Sequence, residues 1–172
     1  ALGVLVPEQY GGAGLGYYEY MTTIIEVAKI CGSIGLSVAA HNSLCTGHIL
    51  QFGNDEQKKK YLPKLTTGNW KAAYCLTEPG SGSDANSGKT KAVLSPDGKH
   101  YVINGQKMWI TNAGFADVFV VFAKIDNDEN LSAFIVERSF PGISFNPEEH
   151  KMGIKGSSTR QIFFSDCKVP VE

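Results

Sequence analysis

The architecture turns on Glu78–Thr90, EPGSGSDANSGKT, because two phosphate-binding fingerprints overlap in it. Gly80, Gly82 and Ala85 fit the G-x-G-x-x-G/A spacing of a dinucleotide loop, while Gly88-Lys89-Thr90 ends like a Walker loop. A Walker loop needs a glycine five residues before its Gly-Lys, and Ser83 stands there. Both fingerprints also need a helix to start at the loop, since free amides at the helix N-terminus hold the phosphates. The downstream stretch NSGKTKAVLSPDGKHYVINGQKMWITNA carries turn signals and short β-rich runs with no helical period. Two readings remain. One is a bare surface turn, and the other a glycine-rich loop joining two strands, whose amides and serine hydroxyls form an anion-binding nest without a helix dipole.

The flanking residues speak for strands. KAAYCL, TKAVLS, HYVING, DVFVVFAKI, LSAFIVE and RQIFFSDCKV are short β-branched or aromatic runs separated by turns. Ser95-Pro96-Asp97-Gly98 and Asn104-Gly105 both read as hairpin turns. Upstream the period is helical. Met21, Ile24, Ile25, Ala28 and Cys31 recur at three- and four-residue steps, which predicts one apolar helix face, and Gly32-Ser33 breaks that helix. IGLSVAAHNSLCTGHILQF is apolar nearly all round and predicts a helix buried on several sides. Asn54 with Gln57 predicts a capped short helix that ends before Pro63. The expectation is an α+β fold, helical over residues 1–70, then an antiparallel sheet or barrel of about six or seven strands over residues 71–172.

Composition narrows the function. The 172 residues carry a formal net charge of −1, which argues against a nucleic-acid partner held by phosphate neutralisation. The short basic run Gln57–Lys60 reads as a solvated helix face. No apolar stretch reaches membrane-spanning length, and ALGVLVPEQYGG lacks the pattern of a signal peptide. Cys31, Cys45, Cys75 and Cys167 are scattered, as buried free thiols would be, and the four histidines form no ligand pattern, so no metal site is expected. A reducing cytoplasm, or a mitochondrial matrix in a eukaryote, fits best. The chain opens without methionine and ends at CKVPVE, so it is expected to be part of something longer.

YCLTEPGSGSD (Tyr74–Asp84) and KMWITNA (Lys107–Ala113) together resemble the two flavin signatures of the acyl-CoA dehydrogenase family. PEQYGGAGL near the start, INGQKMWITN, and KMGIKGSSTRQIFFSDCKVP near the end resemble the family in the same order, so the likeness covers essentially the whole chain. The resemblance implies that residues 1–70 belong to an N-terminal helical domain and residues 71–172 to a middle β domain, with a C-terminal helical domain absent from this chain.

It also implies FAD as cofactor. The signatures place its contacts on Tyr74, Cys75, Leu76, Thr77, Glu78, Pro79, Gly80, Ser81, Gly82 and Ser83, and on Trp109, Ile110 and Thr111. A pyrophosphate needs amides and hydroxyls, which Gly80–Ser83 supply. A buried isoalloxazine ring needs a paired polar edge and a flat apolar face. By resemblance, the Leu76 and Thr77 main chain and the Thr77 hydroxyl meet the pyrimidine edge, Trp109 the ring face and Thr111 the reactive N5, while Ser83 also touches the acyl-CoA. A tryptophan in a strand has a plainer reading as core. Asp84, beside two phosphates, is expected to turn its carboxylate onto loop amides. Pro7, Gly11, Gly12 and Gly14 read as a turn, Gly153–Thr159 as a bend into the last strand, and Arg160 as either a surface charge or a substrate-side contact.

The implied reaction is α,β-dehydrogenation of an acyl-CoA thioester, a carboxylate removing the α proton as the β hydrogen leaves as hydride to flavin N5. No residue here matches the family's base, a glutamate of the absent helical domain, and this chain alone is expected to be inactive. The implied partners are an electron-transfer flavoprotein and further copies in a dimer or tetramer. An acyl-CoA oxidase or a non-catalytic flavin-binding paralogue stands as the alternative.

Overall fold

The computed structural model describes residues 1–171. Four α-helices come first: α1 (Tyr17–Ile30), α2 (Gly32–Ala39), α3 (Gly47–Phe52) and α4 (Asp55–Thr66), with a π-helical stretch, Ala40–Thr46, between α2 and α3. Seven strands complete the chain: β1 (Ala72–Cys75), β2 (Lys91–Leu94), β3 (His100–Thr111), β4 (Val118–Ile125), β5 (Ser132–Glu137), β6 (Ile143–Phe145) and β7 (Thr159–Pro170). This is the expected α+β order.

The sheet differs from expectation in being mixed. β1 and β2 both run parallel to β4, while β2–β3, β3–β7, β4–β5 and β6–β7 are antiparallel. β1 pairs with the first half of β4 and β2 with its end, through Lys91 and Ala92 opposite Lys124 and Ile125. The loop between β1 and β2 is therefore an excursion away from β4 and back. β4 is the organising strand. Its first six residues, VFVVFA, are all apolar, as a strand covered on both faces requires. Phe119, Val121 and Ala123 pack into the sheet's own core, while Val118 and Val120 pack with Cys45, Ile49, Leu62 and Leu65 of the helices.

Three local expectations are corrected. The helix predicted to stop before Pro63 runs through it to Thr66. Proline forfeits one backbone bond, but Leu62 and Leu65 are fully buried on either side of it, and that packing holds the turn. The Asn54–Gln57 capping box is formed as predicted. The predicted hairpin at Asn104-Gly105 is instead a bulge inside β3, with Gly105 at φ 151° and the pairing to β7 shifting between Ile103 and Gly105. Asn104 exchanges two hydrogen bonds with Asp166 across that bulge, so its turn-like chemistry is spent on a strand irregularity. Ser95–Gly98 does turn β2 into β3.

The third correction concerns α1, whose apolar stripe looks outward. Met21 is 54% and Ile25 50% exposed, and the helix is anchored through buried Tyr20, whose hydroxyl donates to the Ala39 carbonyl. The second helical segment is buried at His41, Asn42, Cys45, Thr46 and Ile49 but exposes Ile34 and Phe52. β6 is too short for its sequence to announce.

Candidate functional site

The β1–β2 loop is built by its own polar groups. Glu78 and Ser81 exchange backbone hydrogen bonds of 3.0 and 3.1 Å, and the Ser81 hydroxyl contacts the Asp84 and Ala85 carbonyls at 3.0 Å. Under the loop lies a buried ion pair. Lys107 of β3 reaches Glu78 Oε1 at 2.7 Å and donates to the Leu76 carbonyl at 3.1 Å, and the Glu78 carboxylate also accepts the amides of Lys89 and Thr90. Burial pushes the Glu78 carboxyl up, but the donors from Lys107, Thr90 and Lys89 outweigh it and hold it below the usual carboxylate range. The carboxylate that satisfies loop amides is thus Glu78, and not, as expected, the exposed Asp84.

β3 supplies the facing wall. Its pairing with β7 shifts again between Lys107 and Ile110, and within that bulge Trp109 sits at φ 57°. A bulky residue with left-handed backbone costs on the order of 1–3 kcal/mol and gathers at functional sites. The strain re-aims the ring. Trp109 is 63% exposed, so its plainer reading as core does not hold. The Met108 amide donates to the Thr77 carbonyl at 2.8 Å, tying the bulge to the loop.

Between them lies an open recess of about 190 Å³, lined by Tyr74, Leu76 and Thr77 from the first wall, Trp109, Ile110 and Thr111 from the second, and Ala40 and Leu44 from the π-helical stretch. The remaining predicted residues fall elsewhere. Cys75 is fully buried in the sheet core, its thiol pushed up by burial, and Ile110 packs into the same core at the recess border. Ser81 is buried with its hydroxyl turned into the loop, while Gly82 and Ser83 stand exposed at the loop tip. Glu78, Pro79 and Gly80 border a second recess of about 460 Å³, beside Gly105, Gln106 and Phe163.

Several supports had no sequence signal. Lys107 sits in a strand where a lysine reads as solvent-facing. Ala40 and Leu44 reach the recess only because the helix opens into a π turn, a distortion common at functional sites. Arg138 donates to the Ala113, Ala116 and Gly114 carbonyls, clamping the turn just beyond Thr111. Arg160 pairs with Glu148 at 2.7 Å, and Glu148 also accepts from the Ser158 hydroxyl and the Thr159 amide. Among the described residues no group of His, Cys, Asp and Glu could hold a metal ion, and no helix is long and apolar enough to cross a membrane.

A family profile described as the acyl-CoA dehydrogenase middle domain matches residues 73–167, and one described as the N-terminal domain matches residues 1–69. The chain belongs to the acyl-CoA dehydrogenase family. It is similar to a probable acyl-CoA dehydrogenase of Bacillus subtilis, 56% identical over 171 residues that cover 99% of this chain and 28% of that protein. It is also similar to the human mitochondrial very long-chain specific acyl-CoA dehydrogenase, 47% identical with 100% and 28% covered. Among solved structures, the acyl-CoA dehydrogenase of Bacillus anthracis complexed with FAD superposes with a TM-score of 0.95 at 52% identity, covering 99% of this chain and 29% of that one. The chain therefore spans less than a third of the length of these acyl-CoA dehydrogenases.

Proposed function

We propose that this chain supplies the flavin-binding wall of an enzyme that dehydrogenates acyl-CoA thioesters, with FAD as cofactor. One observation carries the proposal: Thr77 and Thr111, more than thirty residues apart, border one recess with the Trp109 ring between helix and sheet. The residues present suit the ring. Trp109 offers a flat exposed face, and the Thr77 amide, which donates to no group among the described residues, offers an unpaired donor at the polar edge.

Bound there, the flavin would accept a hydride from the substrate β carbon. The chain's own part is to bind and orient. The Leu76–Thr77 main chain meets the pyrimidine edge, the Thr111 hydroxyl donates where negative charge builds, and Gly82 and Ser83 face the pyrophosphate and the acyl-CoA. No carboxylate lines the recess among the described residues, and Glu78, Glu137 and Glu148 are each engaged by cations and donors. The proton-abstracting base is accordingly assigned outside the described residues, with residues 1–70 acting as N-terminal helical part and 71–172 as middle β domain.

The experiment is anaerobic addition of butyryl-, octanoyl- and palmitoyl-CoA to the flavin-loaded full-length protein. The expected result is bleaching with at least one thioester, then reoxidation by an electron-transfer flavoprotein or dye. Reoxidation by oxygen at a comparable rate would make the enzyme an oxidase. Flavin retention without bleaching by any acyl-CoA would leave a non-catalytic flavin protein and sink the dehydrogenase reading.

A further inference from the structure

The ion pair beneath the loop does more than brace it. Lys107 is fully buried, yet it spends one donor on the Leu76 carbonyl and another on Glu78. The Leu76–Thr77 peptide, like every other described here, is trans. In a planar trans unit the C=O and the N–H point opposite ways. With the Leu76 oxygen drawn to Lys107, the Thr77 N–H is turned away from the cation, and Leu76 and Thr77 both border the recess. The next carbonyl is fixed as well, since Thr77 O accepts from the Met108 amide. That leaves the Thr77 N–H as a held, unspent donor.

The same contact sets the electronics. A charge-assisted hydrogen bond draws electron density from the Leu76 carbonyl and makes the N–H of the same amide a stronger donor, an effect larger away from water. Glu78 opposes it, since its carboxylate sits 2.7 Å from Lys107 Nζ and partly cancels the field. Glu78 is itself fixed by the Lys89 and Thr90 amides, so the balance is built in and does not drift with a mobile side chain.

We propose that Lys107 is a positioning residue of the flavin site: held by Glu78 behind the Leu76–Thr77 peptide, it aims and polarises the Thr77 N–H and so favours the electron-rich reduced ring over the oxidised one. This rests on the flavin reading above. The test is spectroelectrochemistry of the full-length flavoprotein, comparing the wild type with Glu78→Gln and with the neutral pair Lys107→Met/Glu78→Gln. Glu78→Gln leaves the cation unopposed, and with the pH set low enough to keep the buried Lys107 protonated the preference for reduced over oxidised flavin is expected to rise at least threefold. The double variant removes the cation without leaving a buried unpaired charge, and the preference is expected to fall at least threefold below wild type. For a two-electron couple these are shifts of about 14 mV in opposite directions. A bracing role alone loosens the loop in both variants and moves them the same way. Shifts of the same sign, or none, overturn the proposal while the flavin reading stands, and a wild type that holds no flavin overturns both. Should Glu78→Gln alone not fold, the double variant decides, since a potential at or above wild type contradicts the role given to Lys107.

Discussion

His41 joins the helical part to the sheet in a form that only the neutral imidazole can take. Its Nε2 lies 3.1 Å from the Leu65 carbonyl, and its Nδ1 accepts the Ala72 amide at 3.1 Å, so a proton sits on Nε2 and none on Nδ1. The side chain is 1% exposed. Burial lowers its pKa below 6.5, partly offset by the carbonyl it bonds, and nearby Lys71 lowers it further. The unfolded or locally opened chain therefore binds a proton that the native state refuses, so stability is complete above the unfolded pKa near 6.5 and is lost as the pH falls below it. Linkage caps the loss between pH 7 and pH 5 at about 2 kcal/mol, the limit for a ring that takes up no proton while folded. Glu78, Glu137 and Glu148 are all held below the usual carboxylate value of 4.5 and stay ionised in the native state over that window, and their small uptake in the opened chain is common to wild type and variant. The assay is hydrogen exchange of the peptide carrying the Ala72 amide, corrected for the intrinsic pH dependence of exchange. His41→Gln keeps one donor and one acceptor without a titrating group, and its opening free energy is expected to be flat from pH 7 to pH 5 while that of the wild type falls with pH, by up to about 2 kcal/mol. Equal slopes in the two proteins would refute the role of a neutral His41.

Three further outcomes are expected. Thr111→Val keeps the shape but removes the hydroxyl, and flavin reduction in the full-length protein should slow about ten- to a hundredfold, the effect of one donor of roughly 1.4–3 kcal/mol, as stopped-flow bleaching would show. Gly105→Ala places a Cβ 2.5 Å from the Thr90 hydroxyl at a φ of 151°, and thermal unfolding should show a loss of about 1–3 kcal/mol. Arg138→Met strips the Ala113, Gly114 and Ala116 carbonyls of their donor, and exchange of the 112–118 segment should quicken by about 2–4 kcal/mol of opening free energy, with β7 unaffected.

Features that depend on local pattern are legible in the sequence. The change from helical to strand period is written in residue spacing, and EPGSGSD fails as a Rossmann loop for a reason the structure repeats: only the three-residue 3-10 turn Ala85–Ser87 comes after it. The meeting of Thr77 with Trp109 and Thr111 is implied by the resemblance to a flavin-binding family. Other features depend on partners distant in sequence. Asn104-Gly105 has hairpin chemistry, but pairing with Asp166 across the strand turns it into a bulge. Pro63 reads as a stop until Leu62 and Leu65 find the sheet. Lys107 gives no hint of burial without Glu78, twenty-nine residues away, as its counter-charge. The parallel pairing of β1 and β2 along one edge of β4 is likewise a matter of topology, which short strand runs leave open.

The central claim is that the recess between the Thr77 loop and the Trp109 bulge holds a flavin ring, and a crystal structure of the full-length protein soaked or copurified with FAD tests it most directly. The predicted result is an isoalloxazine ring against Trp109, with its pyrimidine edge within hydrogen-bond distance of the Thr77 amide and its central nitrogen facing the Thr111 hydroxyl. Flavin bound instead in the larger recess beside Gly105 and Phe163, with Trp109 and Thr111 untouched, would contradict the account.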